Sequence, residues 1–359
     1  MDRMELLPPD PPDDATAGLA LAGSGSDRPV IVVGCPRSGT TMLQVALHAH
    51  RRIALPPETW LLVEGYRRRA TFGDLRERQG RELFADWVLS KRKVRDLRVS
   101  RAHLRELVLE GPPTVGSLLG VVLRAYAEKF DKPRWGDKRP SYYRNIAIVL
   151  RLFPDAQFVH LVRDGRDCVS SLKRMPWFGG TPHDAISAWC HAVDQGALWQ
   201  RRLGPANWHE LQYEHLVADP ETELRRLCTF LGEDFDPSMV QRSEVPRVAV
   251  PKRKTWHTRT RRPMDSVSVA GYREGLTPTE LALMERVAGE RLERFGYSLD
   301  GTGTVSLRTL AQYRQLDAKR RFDLVGAHAK DRMRDRRLRQ PVAARLTSAQ
   351  LALAAAAER

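Results

Sequence analysis

The eight residues GCPRSGTT at 34–41 have a spacing suited to holding a phosphate. They follow a run of apolar β-formers, Val30 to Val33, and lead directly into a helical pattern. A strand that breaks into such a loop and restarts as a helix points several backbone N–H groups at one spot, with the positive helix terminus behind them. Gly34 and Gly39 have the GxxxxG spacing of a nucleoside-triphosphate loop. The next residues are Thr40 and Thr41, where triphosphate chemistry needs Lys followed by Ser or Thr. The lysine that reaches the β and γ phosphates is missing, and Arg37 lies inside the loop instead. The expected ligand is a phosphate that is not part of a nucleoside triphosphate. The plain alternative is an ordinary strand–turn–helix.

A second junction carries related chemistry. In VRDGRDCVSSL at 162–172, Arg163 ends an apolar strand pattern, and Ser170 and Ser171 lie on the helix that follows. An arginine and a serine hydroxyl converging on one anion combine charge with directed donors. Two separate phosphate sites suit a ligand with phosphates at both ends, such as an adenosine 3′,5′-bisphosphate.

The elements that must position these groups read as strands separated by helices, the pattern of a mostly parallel sheet covered on both faces. Residues 30–33, 52–55, 157–162 and 208–212 read as strands. Helices are expected at 42–50, 142–153, 168–173, 185–203, 220–231 and 278–295, and 60–130 is mostly helical by pattern. Residues 134–138 read as a turn, and 241–275 as irregular and very basic.

The 359 residues carry a net charge of +15 and 42% hydrophobic residues, enough for a substantial core and a bias toward anionic ligands. The charge divides into −4 over residues 1–28, +8 over 301–359 and, by difference, +11 between them. The first segment, acidic and proline-rich, reads as a disordered leader without signal-peptide form. The four cysteines, Cys35, Cys168, Cys190 and Cys228, have no zinc-ligand spacing and suit a reducing cytosol.

Together these motifs resemble the PAPS-dependent sulfotransferases, PAPS being 3′-phosphoadenosine 5′-phosphosulfate. In that family a PxSGTT loop binds the 5′-phosphosulfate, which implies Arg37, Ser38, Gly39, Thr40, Thr41 and Met42 at the donor. A strand-end Arg and a Ser eight residues on bind the 3′-phosphate, which implies Arg163 and Ser171. A Tyr-Glu-x-Leu segment before a helix ending in Phe-Leu-Gly matches YEHLVADPETELRRLCTFLG at 213–232 and implies Tyr213 at the adenine. The resemblance runs from about 29 to 300 and implies a P-loop-like, three-layer α/β fold.

Within the family, the details are most similar to the branch with bacterial and tyrosylprotein sulfotransferases. That branch has Arg in the loop, a catalytic Glu about twenty residues later in a segment like EETR, and an Asn/Asp-Lys pair before a Pro. PPETW then implies Glu58 as general base, and Asp137-Lys138 before Pro140 implies Lys138 as a catalytic cation beside Arg37. The run RLFPDAQFVHLVRDGR at 151–166 fits the branch pattern, and RRP at 261–263 resembles a phosphate-contacting Lys-Pro element, implicating Arg262. There are departures. Met42 stands where cytosolic animal members have a tryptophan that stacks on adenine. Their histidine base has no counterpart, and SVSVAGYRE at 266–274, with Arg273, replaces a glycine-rich element.

The expected reaction is transfer of the sulfuryl group of PAPS to a hydroxyl of a small molecule, lipid or glycan, without a metal, in a bacterial cytoplasm. Other roles remain open for single residues. Glu58 could cap a helix starting at Thr59 or Trp60, Lys138 could be a solvated surface lysine, and His160 reads as a core histidine. A nucleotide-kinase-like phosphotransferase is disfavoured by the missing loop lysine. A nucleic-acid-binding protein is suggested by charge alone, without a recognisable binding module. The tail offers one more feature. Phe322, Val325, Ala329 and Met333 fall on one face of an arginine-rich helix, which suits either docking on the protein's own surface or a membrane-surface contact through 318–339.

Overall fold

The computed structural model describes residues 27–241, 269–301, 303–338 and 342–344. The expected leader, apart from Asp27 and Arg28, and the segment holding Arg262 lie outside the described residues.

Five parallel strands form one sheet in the order β2-β3-β1-β4-β5. They are β1 (Val30–Gly34), β2 (Ile53–Ala54), β3 (Arg134–Lys138), β4 (Gln157–Val162) and β5 (Trp208–Gln212). Parallel strands need helical crossovers, which cover both faces. The alternation along β1 shows this directly. Ile31 and Val33 enter one core cluster, with Leu118, Leu119 and Val122 of α5 (Val115–Glu128). Val30 and Val32 enter another, with Leu43, Ala46 and Leu47 of α1 (Thr40–Ala49) and Leu227 of α10 (Pro220–Leu231). All five β1 residues are buried, and each of its apolar side chains stabilises the fold by about 1.5–3 kcal/mol relative to exposure.

Strands β4 and β5 occupy the residues expected of them, and α10 stops at Gly232 in the left-handed region (φ 73°). Residues 134–138 depart from their turn-like reading. RWGDK is a fully buried strand between β2 and β1. Its charges are tolerated because each finds a partner. Arg134 donates to Glu233 Oε1 (3.1 Å) and to Gln157 Oε1 (2.5 Å), and Asp137 Oδ2 accepts from Tyr142 Oη (2.6 Å). The expected helix 142–153 is also divided, into a 3₁₀ segment Pro140–Arg144 and α6 (Ile146–Leu152).

A third cluster joins α7 (Gly165–Lys173) and α8 (Pro182–Leu203) to helix Pro278–Arg294. The C-terminal helix Leu307–Leu338 lies against this body. Asp331 accepts from Arg67, and Asp335 pairs with Arg69 and Arg151. Val342 and Ala344 continue the contact by backbone bonds to Gly116 and Leu152.

Candidate active site

The candidate residues stand at or beyond the C-terminal ends of the strands, where open parallel sheets bind ligands. The loop after β1 is shaped by two left-handed positions, Arg37 at φ 76° and Gly39 at φ 97°. Gly39 caps α1 with no side-chain hydrogen bond, so the Thr40 and Thr41 N–H groups of its first turn keep their capacity for an anion, while Met42 N–H already donates to the Gly39 carbonyl (2.8 Å). A side chain at 39 would be strained, and its Cβ would lie 2.5 Å from the ring of Tyr213. Ser38 is fully buried, and its Oγ has no hydrogen-bond partner among the described residues.

One side of this loop holds Lys138, Glu58 and Thr41. Lys138 ends β3, opposite Val32, with 1% of its side chain exposed. Its Nζ pairs with Glu58 and donates to Thr41 Oγ1 at 3.2 Å. Lys138 is therefore a buried cation at the loop, and the surface reading falls. Glu58 does not cap the helix after it. Helix α2 (Leu61–Arg68) begins three residues on, with Trp60 as an uncapped, left-handed N-cap (φ 66°). Side chains of α1 hold the turn that carries Glu58. Gln44 Nε2 donates to the Pro56 carbonyl at 2.6 Å, and His48 Nδ1 accepts the Leu55 N–H at 3.2 Å.

Behind the pair lies Asp137, whose Oδ1 accepts the Lys138 N–H at 2.9 Å. Burial, with the Glu58 charge adding, pushes its carboxyl up to about 6, against the opposing Tyr142 hydrogen bond. Asp137 and Tyr142 were not candidates from sequence. The only signal was the position of Asp137 next to Lys138 in the motif.

The other side of the loop holds Arg37, Arg163, Ser171 and Tyr213. Arg37 Nε donates to Ser171 Oγ (3.0 Å), and Arg163 Nη1 donates to the Arg37 carbonyl (3.3 Å). The Arg163 guanidinium lies 4.5 Å from the Tyr213 ring centroid and donates to Asp167 (3.1 Å). Trp189 Nε1 fixes the Arg163 carbonyl at 2.9 Å. Asp167 also accepts the N–H groups of Ala270 and Tyr272, tying residues 269–275 beside the second junction. Burial raises the Asp167 carboxyl, and Arg163 opposes that. Arg273, from the same segment, pairs with Asp300. Met42 packs half-buried against the α1 cluster. His160 is a buried core residue hydrogen-bonded to Glu210 (3.0 Å), with Gly196 against its ring.

His48 makes the site acid-sensitive. Burial, with Lys132 nearby, lowers its imidazole from 6.5 to about 3. The unfolded chain binds this proton first, so the contribution is present above about pH 6.5 and is lost as pH falls toward 3. The slope is about 1.4 kcal/mol per pH unit. His48→Asn keeps an acceptor for Leu55 and removes the titration. Thermal melts between pH 7 and pH 4 should show a flatter acid limb for this variant; an unchanged limb would assign the acid loss elsewhere.

The strand order and loop define an α/β protein of the P-loop-like class. A model of the family described as "Sulfotransferase family" matches residues 29–237, and the chain belongs to that family. It is 25% identical over 220 residues to a protein-tyrosine sulfotransferase of Drosophila melanogaster, covering 60% of this chain and 40% of that protein. Over 115 residues it is 31% identical to the omega-hydroxy-beta-dihydromenaquinone-9 sulfotransferase Stf3 of Mycobacterium tuberculosis, covering 28% of this chain and 29% of that protein. The aligned stretch spans about half the length of the curated tyrosine sulfotransferases it matches. Among solved structures, the sulfotransferase domain of the Synechococcus PCC 7002 olefin synthase has the same fold, with a TM-score of 0.57, 24% identity, and coverage of 78% of this chain and 98% of that one.

Proposed function

We propose that this chain moves the sulfuryl group of PAPS to a hydroxyl on a small molecule, lipid or glycan in a bacterial cytoplasm, by in-line displacement. The observation that carries the reading is the meeting of Glu58, Lys138 and Thr41 on one side of a lysine-free phosphate loop. The donor fits the residues present. The partnerless Ser38 Oγ and the uncapped start of α1 suit the 5′ end, with Thr40 and Thr41. Arg163 and Ser171 suit the 3′-phosphate, and Tyr213 suits the adenine. When bound, the donor supplies an activated sulfuryl group on a phosphate leaving group.

The chain's own groups supply the rest. Glu58 accepts the proton of the acceptor hydroxyl, a role worth typically about 10²–10⁴-fold. Lys138 brings positive charge to the leaving oxygen, where electrostatic stabilisation dominates as in phosphoryl transfer, and Arg37 joins it by turning from its Ser171 partner toward the 5′ end. Thr41 orients Lys138, and the buried Asp137 holds the Lys138 backbone.

A thermal-shift panel tests the reading by mass action. Adenosine 3′,5′-bisphosphate should raise the melting temperature, while ATP with magnesium and short oligonucleotides should not. Stabilisation by either of the latter without the former would overturn it.

A further inference from the structure

The C-terminal helix Leu307–Leu338 presents two opposite faces, and the body takes the one that carries Leu310, Tyr313 and most of the helix's acids. Tyr313, Asp317, Asp331 and Asp335 point inward at helical spacing. Tyr313 and Asp331 are buried, Asp317 accepts from Ser187 Oγ (2.7 Å), and Asp335 pairs with Arg69, whose side chain is 1% exposed. Three of the four acids of the helix are spent in this way.

The outward face is left with Phe322, Val325, Ala329 and Met333, spaced three, four and four apart. Phe322 is 77% exposed, Met333 54% and Val325 39%. Lys319, Lys330, Arg336 and Arg337 flank this stripe, and none of them has an ion pair among the described residues; the remaining acid, Asp323, lies at its border. An exposed phenylalanine and methionine between uncompensated cations are unfavourable toward bulk water. They match a surface with anionic headgroups over an apolar layer.

We propose that this face of the helix docks the protein on an anionic phospholipid bilayer, with Phe322 and Met333 entering the headgroup–acyl boundary and the flanking cations on the lipid phosphates. The helix runs along the surface instead of crossing it; no helix among the described residues is long and apolar enough to span a membrane. The proposal stands apart from the sulfuryl-transfer reading, because it uses no residue of the site.

Co-sedimentation of the full chain with vesicles tests it. Vesicles of phosphatidylcholine with about 30 mol% phosphatidylglycerol should bind about 10-fold or more tightly than phosphatidylcholine alone, and about 1 M salt should abolish the difference. Two variants act on separate grounds. The pair Phe322→Ser with Met333→Ser should lose about 10-fold in binding through the apolar stripe. The pair Lys319→Glu with Lys330→Glu should lose at least as much through charge. Equal binding to both vesicle types, or binding that survives both variants, overturns the proposal. So does light scattering that shows a dimer dispersed by Phe322→Ser/Met333→Ser in a protein that ignores vesicles, since the face then belongs to a second copy.

Discussion

Glu58→Gln is expected to lower kcat by about 10²–10⁴-fold while affinity for adenosine 3′,5′-bisphosphate stays within about threefold. The amide keeps an oxygen for Lys138 Nζ but cannot take a proton. Glu58 sits in a turn pinned by Gln44 and His48, so the substitution changes chemistry more than position. Lys138 loses its counter-charge, although Asp137 lies immediately behind it. Assay with labelled PAPS and an acceptor found in host extracts gives kcat, and calorimetry gives the product affinity. Turnover near that of the parent would remove Glu58 as base. A parallel loss of nucleotide affinity would make it a binding residue instead.

Arg163→Ala is expected to weaken adenosine 3′,5′-bisphosphate binding by about 10²-fold and adenosine 5′-monophosphate binding by less than about threefold. The loss corresponds to about 2–3 kcal/mol, the scale of a charge-assisted hydrogen bond to an anion. Arg163 also touches Asp167, the Arg37 carbonyl and the Tyr213 ring, so truncation relaxes its neighbours. Asp167 keeps the N–H groups of Ala270 and Tyr272, which limits that relaxation. Arg163→Lys retains charge without the planar fork and should recover part of the discrimination. Equal weakening of both nucleotides would end the 3′-phosphate assignment.

Much of the site was legible because its chemistry is local. The glycine spacing from Gly34 to Thr41 announces the strand–loop–helix that the fold contains, and the proposed anion follows from that loop lacking a lysine. Arg163 and Ser171 lie eight positions apart on one strand–helix junction, so their placement beside the same loop is also a short-range matter, with Ser171 on Arg37 Nε and Arg163 on the Arg37 carbonyl. The pairing of Glu58 with Lys138 was different. The two are 80 residues apart, and only the family resemblance linked them before the fold placed Lys138 Nζ on the carboxylate. The segment 134–138 was misread for a related reason. Three charged residues and a glycine look like a turn until Glu233 and Glu58 arrive from distant segments to pair Arg134 and Lys138, while the nearby Tyr142 hydrogen-bonds Asp137. A pattern of hydrophobicity cannot register a charge whose cost is offset by a distant partner.

The C-terminal helix draws the boundary between the two sources of information. Its stripe of Phe322, Val325, Ala329 and Met333 was readable from spacing, but not whether that stripe would turn inward. Sequence by itself determined the strand–loop–helix at 30–49, the second basic junction, strands β4 and β5 and the stop at Gly232, because backbone propensity and short-range periodicity act within a few residues. Tertiary structure alone decided that β3 is a buried strand, that Glu58 faces Lys138 instead of capping α2, and that Asp331 and Asp335 face the body while Phe322 and Met333 face out. Each of those outcomes depends on charge compensation across long stretches of chain, which exists only once the elements are packed.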